Sequence, residues 1–296
     1  MKAHNRNKYV HEGFIVLHSW LSQEWQPVQT GCKGRPEIYP ENFIEFCSRL
    51  RFIHQLTFRE LEGFLLALSN YLKLPRVAVY TTLWRRIVQK AEVKQHNFTN
   101  KRYKYLIVDS TGMSQVKRSG YMAYKWKTRR SFTKIHFGIN ERHEVVFFDV
   151  TTEKGGGDAK IALRNLKEIS IFPKKIFGDG GYDAIELFDF CYKNQIQTVI
   201  PIRKNAKPKI LAQPLRYREF TLQQIDFDLW KYFSDYGLRT AVERSFSAFK
   251  RRFGDACRSL KYELQSVFRM VQCFVWLQIS QVGRIYATDF SPSKNL

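Results

Sequence analysis

The run Tyr105-Leu106-Ile107-Val108-Asp109-Ser110-Thr111-Gly112 decides how this chain folds. Four β-prone residues lead without a break into an acid, and small polar residues and a glycine follow, so the apolar part reads as a buried strand ending at a carboxylate. The pattern recurs further along, where Lys174 to Phe177 forms a short strand followed by Gly178-Asp179-Gly180-Gly181-Tyr182-Asp183. In open α/β sheets, ligands bind in the crevice beyond the carboxyl ends of the strands. Glycines at such an edge let a backbone or a metal approach closely. Either acid alone is better explained as the opening residue of an Asx turn.

Outward from these two strands the period-2 signal continues. Phe132 to Ile139 alternates around Ile135 and Phe137, Asn140 to His143 reads as a turn, and Glu144 to Val150 is a further apolar run. Asp158 is placed to cap a helix through about Glu168, a helix is expected from Asp183 to Lys193, and a strand from Thr198 to Ile202. Three strands followed by alternating helices and strands predict an α/β fold with a mixed sheet flanked by helices. The last third reads as helical from Tyr236 to Phe253 and from Glu263 to Arg284, with Lys204 to Phe233 the least regular stretch.

The first hundred residues carry helical spacing instead. Phe43, Cys47 and Leu50 mark a helix over Glu41 to His54, and Thr57-x-x-Glu60 is a capping box opening a second helix that runs to about Tyr71. A third begins near Thr81 or Thr82, with Leu83, Trp84, Ile87 and Val88 on one side and Arg85, Arg86 and Lys90 on the other. Three short helices ending in a basic face suggest a helix-turn-helix-like DNA-binding module, or an ordinary helical bundle. The expected division is a helical N-terminal DNA-binding module over 1–98 and a catalytic domain over 99–296, with 204–233 as a compact basic insertion.

The 296-residue chain carries 49 Lys plus Arg against 27 Asp plus Glu, a net charge of +22, while 44% hydrophobic and 15% aromatic residues exclude disorder through low hydrophobicity. The excess is uneven, for residues 151–200 hold seven basic and seven acidic side chains. Basic residues cluster at Lys117, Arg118, Lys125, Lys127, Arg129, Arg130 and Lys134, at Arg203, Lys204, Lys207 and Lys209, and at Lys250, Arg251 and Arg252. Tyr121, Tyr124 and Trp126 interleave the first cluster, a mixture suited to neutralising phosphates and stacking on bases. A nucleic-acid partner is the expectation.

No apolar run is long enough to cross a bilayer and the N-terminus lacks the apolar core of a signal peptide, so a soluble cytoplasmic, nucleoid-associated protein is expected. Five scattered cysteines fit neither a disulfide framework nor a zinc site. Gly155-Gly156-Gly157 lacks the ending of a phosphate-binding loop, and no HExxH pairing occurs. His136, in an alternating strand, reads as structural or DNA-proximal.

A third acid joins the two strand-end aspartates. At ~100° per residue, Tyr236, Arg239, Glu243 and Lys250 fall within about 60° of one another on one helix face. An i,i+4 pair explains Arg239 and Glu243 as a solvated ion pair; it does not explain an acid between Ala241-Val242 and Phe246. Two aspartates and a glutamate could together hold two Mg²⁺ ions, which clamp the attacking and leaving oxygens of a phosphoryl displacement.

The spacing Tyr236-x2-Arg239-x3-Glu243-x6-Lys250 resembles, position for position, the Y-x2-R-x3-E-x6-K signature of the DDE transposases of bacterial insertion sequences. Val108-Asp109-Ser110-Thr111-Gly112 and Gly178-Asp179-x2-Tyr182-Asp183 are similar to that group's first and second aspartate motifs. Thr57 to Phe64 and Tyr80 to Leu83 resemble its N-terminal helical module, so the likeness spans nearly the whole chain. The resemblance implies a ribonuclease-H-like mixed sheet, two Mg²⁺ ions for which Mn²⁺ can substitute, binding of terminal inverted repeats in double-stranded DNA, and cleavage and strand transfer, in a cut-and-paste route and as a homodimer on DNA. It implies Asp109, Asp179 and Glu243 as catalytic metal ligands, and Tyr236, Arg239 and Lys250 as DNA contacts. Arg251, Lys125, Trp126, Lys127, Arg129, Arg130, Arg85 and Arg86 join the DNA contacts through the basic clusters. A non-catalytic DNA-binding regulator of transposase descent and a purely hydrolytic nuclease of the same fold are the competing readings.

Overall fold

The computed structural model describes residues 39–71, 77–93, 102–115, 132–152, 157–257 and 262–282. By contact the chain divides into two units, Met1–Gln95 with Met270–Leu296, and His96–Arg269.

In the first unit, α1 (Glu41–Ile53), α2 (Phe58–Ser69) and α3 (Tyr80–Val93) pack on one another. Their apolar stripes meet through Phe43, Phe46, Cys47 and Leu50 of α1, Leu61 and Leu65 of α2, and Leu83 and Ile87 of α3, all buried. Each such side chain contributes roughly 1.5–3 kcal/mol of burial. The capping box before α2 is formed: the Thr57 N–H donates to Glu60 Oε2 at 2.6 Å and the Glu60 N–H to Thr57 Oγ1 at 3.2 Å. The N-terminal end of α3 is tied to α2, the Tyr80 N–H donating to Glu62 Oε2 at 2.8 Å.

The second unit is built on a mixed sheet ordered β3-β2-β1-β4-β5. β1 (Tyr105–Gln115), β2 (Phe132–Asn140) and β3 (Val145–Thr152) form an antiparallel meander, and β4 (Lys175–Phe177) and β5 (Gln197–Val199) add on in parallel. The first strand runs further than its apolar core suggests. β4 stops pairing at Ile107↔Phe177, whereas β2 stays paired as far as Ser114↔Phe132 and β6 (Ala256–Cys257) joins at Ser114↔Ala256. Asp109 therefore sits just past the parallel half of the sheet while its backbone is still held by β2.

One face of the sheet is covered by α4 (Asp158–Glu168) and α5 (Ile185–Lys193), with Leu106, Val108, Ile176, Ala162, Leu166, Leu187 and Phe188 in one buried cluster. The other face receives α8 (Thr240–Phe253), whose Phe246 ring stacks on Phe137 at 4.8 Å while Phe249 meets the same ring edge-on at 5.6 Å. Alternation along β1 then sends Val108 toward α4 and α5, and Asp109 toward α8.

Three expectations are corrected. The stretch Lys204 to Phe233 is largely helical, forming α6 (Pro214–Ile225) and α7 (Phe227–Phe233). Pro214 occupies the first turn of α6, and Asp226 caps α7 by accepting from the Asp228 and Leu229 N–H groups at 2.9 Å each. Asp158 does not cap α4, because its carboxylate is held instead by Lys134 Nζ at 2.6 and 2.7 Å and by the Ser110 hydroxyl at 2.9 Å. The helix read from Tyr236 begins as a 3-10 turn, Tyr236–Arg239, before α8 proper. The final helix α9 (Tyr262–Val282) is joined to the end of α8 by the buried Arg269, which donates to Asp255 O at 2.7 Å and Gly254 O at 3.2 Å. No helix among the described residues is long and apolar enough to cross a membrane.

Candidate active site

The β1 register, the β4 end and α8 bring Asp109, Asp179 and Glu243 within electrostatic reach of one another. The Asp109 side chain is only 15% exposed. Its Oδ1 accepts the Ser110 N–H at 2.7 Å, and its Oδ2 lies 3.3 Å from Arg239 Nη1. The other arm of the same guanidinium, Nη2, donates to Glu243 Oε1 at 2.7 Å. Arg239 is thus a cation shared by an acid of the sheet and an acid of the helix. Burial pushes the Asp109 carboxyl up from its ordinary value, and the Asp179 and Glu243 charges push it further, against the opposing pull of the Ser110 N–H and Arg239.

Asp179 follows β4 and opens a single 3-10 turn, Gly180–Tyr182, its Oδ1 accepting the Gly181 N–H at 2.8 Å. A Cβ on Gly181 would stand 2.9 Å from that oxygen, so the carboxylate is held in this pose only because residue 181 has no side chain. Tyr182 is buried behind the site, and burial, together with the Asp109, Asp158 and Asp179 charges, holds its hydroxyl protonated well above the ordinary tyrosine range. Tyr236 packs on Trp230 with ring centroids 5.4 Å apart, and the Arg239 guanidinium lies 5.9 Å from its ring.

An open cleft of about 530 Å³ is lined by Asp109, Ser110, Thr111, Glu243, Phe246, Ser247, Lys250 and Arg251. Lys250 reaches across it to donate to Gly112 O at 3.1 Å. The helix reading thus brings Arg239, Glu243, Lys250 and Arg251 together with Asp109. Arg85 and Arg86 lie on α3, in the other unit. Lys125, Trp126, Lys127, Arg129 and Arg130 lie outside the described residues.

Among the described residues, no three acidic, imidazole or thiolate side chains converge closely enough to hold a single ion. The donor set nevertheless fits magnesium, which binds through one or two carboxylates with water and substrate phosphate oxygens completing its shell. Asp109 and Glu243 already share one cation, the Arg239 guanidinium, which stands where a positive charge is needed.

Sequence reasoning missed a second polar layer on the opposite face of β1. The Ser110 hydroxyl donates to Asp158, which also binds Lys134. The buried His136 bonds Thr151 Oγ1 through Nε2 at 2.8 Å. Asp149 binds Arg164 and, at 3.1 Å, Asn165. Alternation from Asp109 places Ser110 and its register partner His136 on that face, and this was the available signal. Asp183, the second acid of its motif, has a structural role as well. Its side chain is fully buried and accepts Arg216 Nε at 2.7 Å, Arg216 Nη2 at 3.0 Å and the Arg203 N–H at 3.0 Å.

Comparison with known proteins gives two matches to models described as Transposase DDE domain, over residues 100–277 and over residues 13–118. An uncharacterized protein of Aquifex aeolicus (strain VF5) is 23% identical over 291 residues, covering 90% of this chain and 85% of that protein. Among solved structures, a piggyBac transposase synaptic complex with hairpin DNA aligns at 9% identity and a TM-score of 0.40, covering 94% of this chain and 71% of the other. A chain of a simian T-cell lymphotropic virus intasome complex aligns at 14% identity and a TM-score of 0.25, covering 62% of each. With one acid within β1, one just after β4 and one on the facing helix α8, and a family model spanning residues 100–277, the chain belongs to the Transposase DDE domain family and is an enzyme of the DDE transposase class.

Proposed function

We propose that this transposase binds the terminal inverted repeats of an insertion sequence and moves the element by cut-and-paste cleavage and strand transfer, with Asp109, Asp179 and Glu243 as its metal-holding acids. The observation that carries the reading is the bridging by Arg239 of Asp109 and Glu243, two acids that line an open cleft together with the cations Lys250 and Arg251. A sheet acid and a helix acid share one positive charge at the point where a phosphodiester can enter.

Two Mg²⁺ ions, or Mn²⁺ in their place, would supply activation of the attacking oxygen and stabilisation of the leaving one. The chain's own residues supply the positioning. Backbone N–H groups of Ser110 and Gly181 fix one oxygen each of Asp109 and Asp179; the other Asp179 oxygen, and the other Asp109 oxygen, which is paired with Arg239 at 3.3 Å, would be the ones to serve the reaction centre. Lys250 and Arg251 hold the scissile strand, with Tyr236 and Arg239 beside it. Arg85 and Arg86 of the 1–98 module and the Lys125, Trp126, Lys127, Arg129 and Arg130 segment add phosphate and base contacts, while 99–296 carries the chemistry. Pairing two element ends calls for a homodimer on DNA, acting at the nucleoid.

The test is incubation of the purified protein and Mg²⁺ with a linear duplex carrying the element's ends, followed by a reaction in which pre-cut ends and a target plasmid are supplied. Cleavage at the ends and joining of the pre-cut strands to the plasmid are expected. Cleavage without joining would leave a hydrolytic nuclease, and binding without either would leave a DNA-binding regulator.

A further inference from the structure

The loop after β5 carries Arg203, Lys204, Lys207 and Lys209, all exposed, on a root that is tightly fixed. The Ile202 N–H donates to Gln223 Oε1 at 2.8 Å, and Gln223 Nε2 returns a bond to Ile200 O at 3.1 Å. The Arg203 N–H is held by the buried Asp183, and Arg203 Nε donates at 3.2 Å to Gly180 O, the carbonyl of the residue next to Asp179. The loop is therefore built against the segment that bears a catalytic acid.

Neighbouring cations are committed elsewhere: Arg216 to Asp183, Arg218 to Glu219 and Lys231 to Asp228. Lys204, Lys207 and Lys209 make no ion pair among the described residues. Three exposed charges with no ion-pair partner, on a loop whose root is fixed beside the Asp179 segment, suit a polyanion, whose phosphates they would neutralise with release of counterions.

Resting on the transposase reading, we propose that residues 203–209 form a phosphate-binding site for one strand of the DNA flanking the cut, separate from the Lys250 and Arg251 contact. Sheet order gives its distance. β1, β4 and β5 are neighbours, and at ~4.8 Å per strand the β5 edge lies about 10 Å from β1. At ~3.4 Å of axis per nucleotide of one strand, the loop meets phosphates roughly three nucleotides from the scissile bond, on one side of it only.

The experiment combines Lys204→Ala, Lys207→Ala and Lys209→Ala in the full chain and measures affinity for the end duplex across a salt series. With about 0.9 counterions released per neutralised phosphate, the slope of log affinity against log salt should fall by about 2.7. In parallel, single methylphosphonates are placed along each strand. Neutral linkages roughly three nucleotides to one side of the cut should weaken binding by the wild-type protein and leave the triple variant unaffected. An unchanged slope, or equal sensitivity of both proteins to every neutral linkage, overturns the proposal. A reduced slope in a protein that neither cleaves nor joins ends would keep the loop as a phosphate site and remove the transposition reading; cleavage with an unchanged slope does the reverse.

Discussion

Replacing Arg216 with Met separates the two acids of the Gly178-Asp179-x2-Tyr182-Asp183 motif. The Asp183 side chain has no exposed surface, the Arg216 side chain is 11% exposed, and the two share a bidentate contact of 2.7 and 3.0 Å. Methionine keeps most of the arginine stem but removes the charge. Asp183 would keep only the Arg203 N–H, leaving a buried carboxylate without a counter-charge. Breaking such a pair from one side costs about 3–5 kcal/mol, whereas replacing both partners is often close to neutral. For a urea m-value of about 2 kcal/mol/M, the Arg216→Met midpoint should fall by roughly 2 M. The double variant Asp183→Asn, Arg216→Met should recover most of that loss. Asp179→Asn, at a partly exposed side chain held by one backbone N–H, should move the midpoint by less than about 0.5 M. A shift of that small size for Arg216→Met, or a double variant as unstable as the single one, would refute the assignment of Asp183 to architecture.

Gly181→Ala places a Cβ 2.9 Å from Asp179 Oδ1, so end cleavage should drop by about tenfold or more, the scale of a misplaced reacting group, while the urea midpoint stays near wild type; equal cleavage rates would contradict it. Gly138→Ala puts a Cβ 2.3 Å from the buried Phe147 ring, an overpacking expected to cost about 1–3 kcal/mol in urea unfolding. His136 gives a pH dependence. Burial lowers its pKa from 6.5 to about 4, despite the Asp158 and Asp149 charges that oppose the change. Below the unfolded value the unfolded chain takes up a proton that the folded one refuses. The stability held above about pH 6.5 is therefore lost as pH falls toward 4, by a few kcal/mol at most. His136→Asn should flatten that part of the stability profile, and an unchanged slope would show that the imidazole takes up its proton as readily in the fold as in the unfolded chain.

The sheet was legible because its strands carry uninterrupted or alternating apolar residues: Leu106 to Val108, Ile135 and Phe137, and Ile176 and Phe177 are all buried where periodicity put them. The length of β1 was not, since Ser110 to Gln115 are polar or small apart from the buried Met113, and become a strand only through pairing with β2 and β6. α6 and α7 were missed for a related reason. Exposed apolar residues such as Leu222, Ile225, Tyr232 and Phe233 blur the amphipathic stripe, leaving Pro214 and Asp226 as the usable signals. At the site, the Arg239–Glu243 pair followed from helical spacing. Its sharing with Asp109 depends on how α8 crosses the sheet, and the Lys134–Asp158–Ser110 layer on the register of β1 with β2, which no local pattern encodes.

The proposed function requires Asp109, Asp179 and Glu243 to act as one metal-dependent centre on DNA. Its most direct test is single-turnover cleavage of the element-end duplex, in Mg²⁺, by the wild-type protein and by Asp109→Ala, Asp179→Ala and Glu243→Ala, with end binding measured on the same preparations. Each variant is expected to bind the duplex as the wild type does and to leave it uncut. Cleavage at the wild-type rate by any one of the three variants would contradict it.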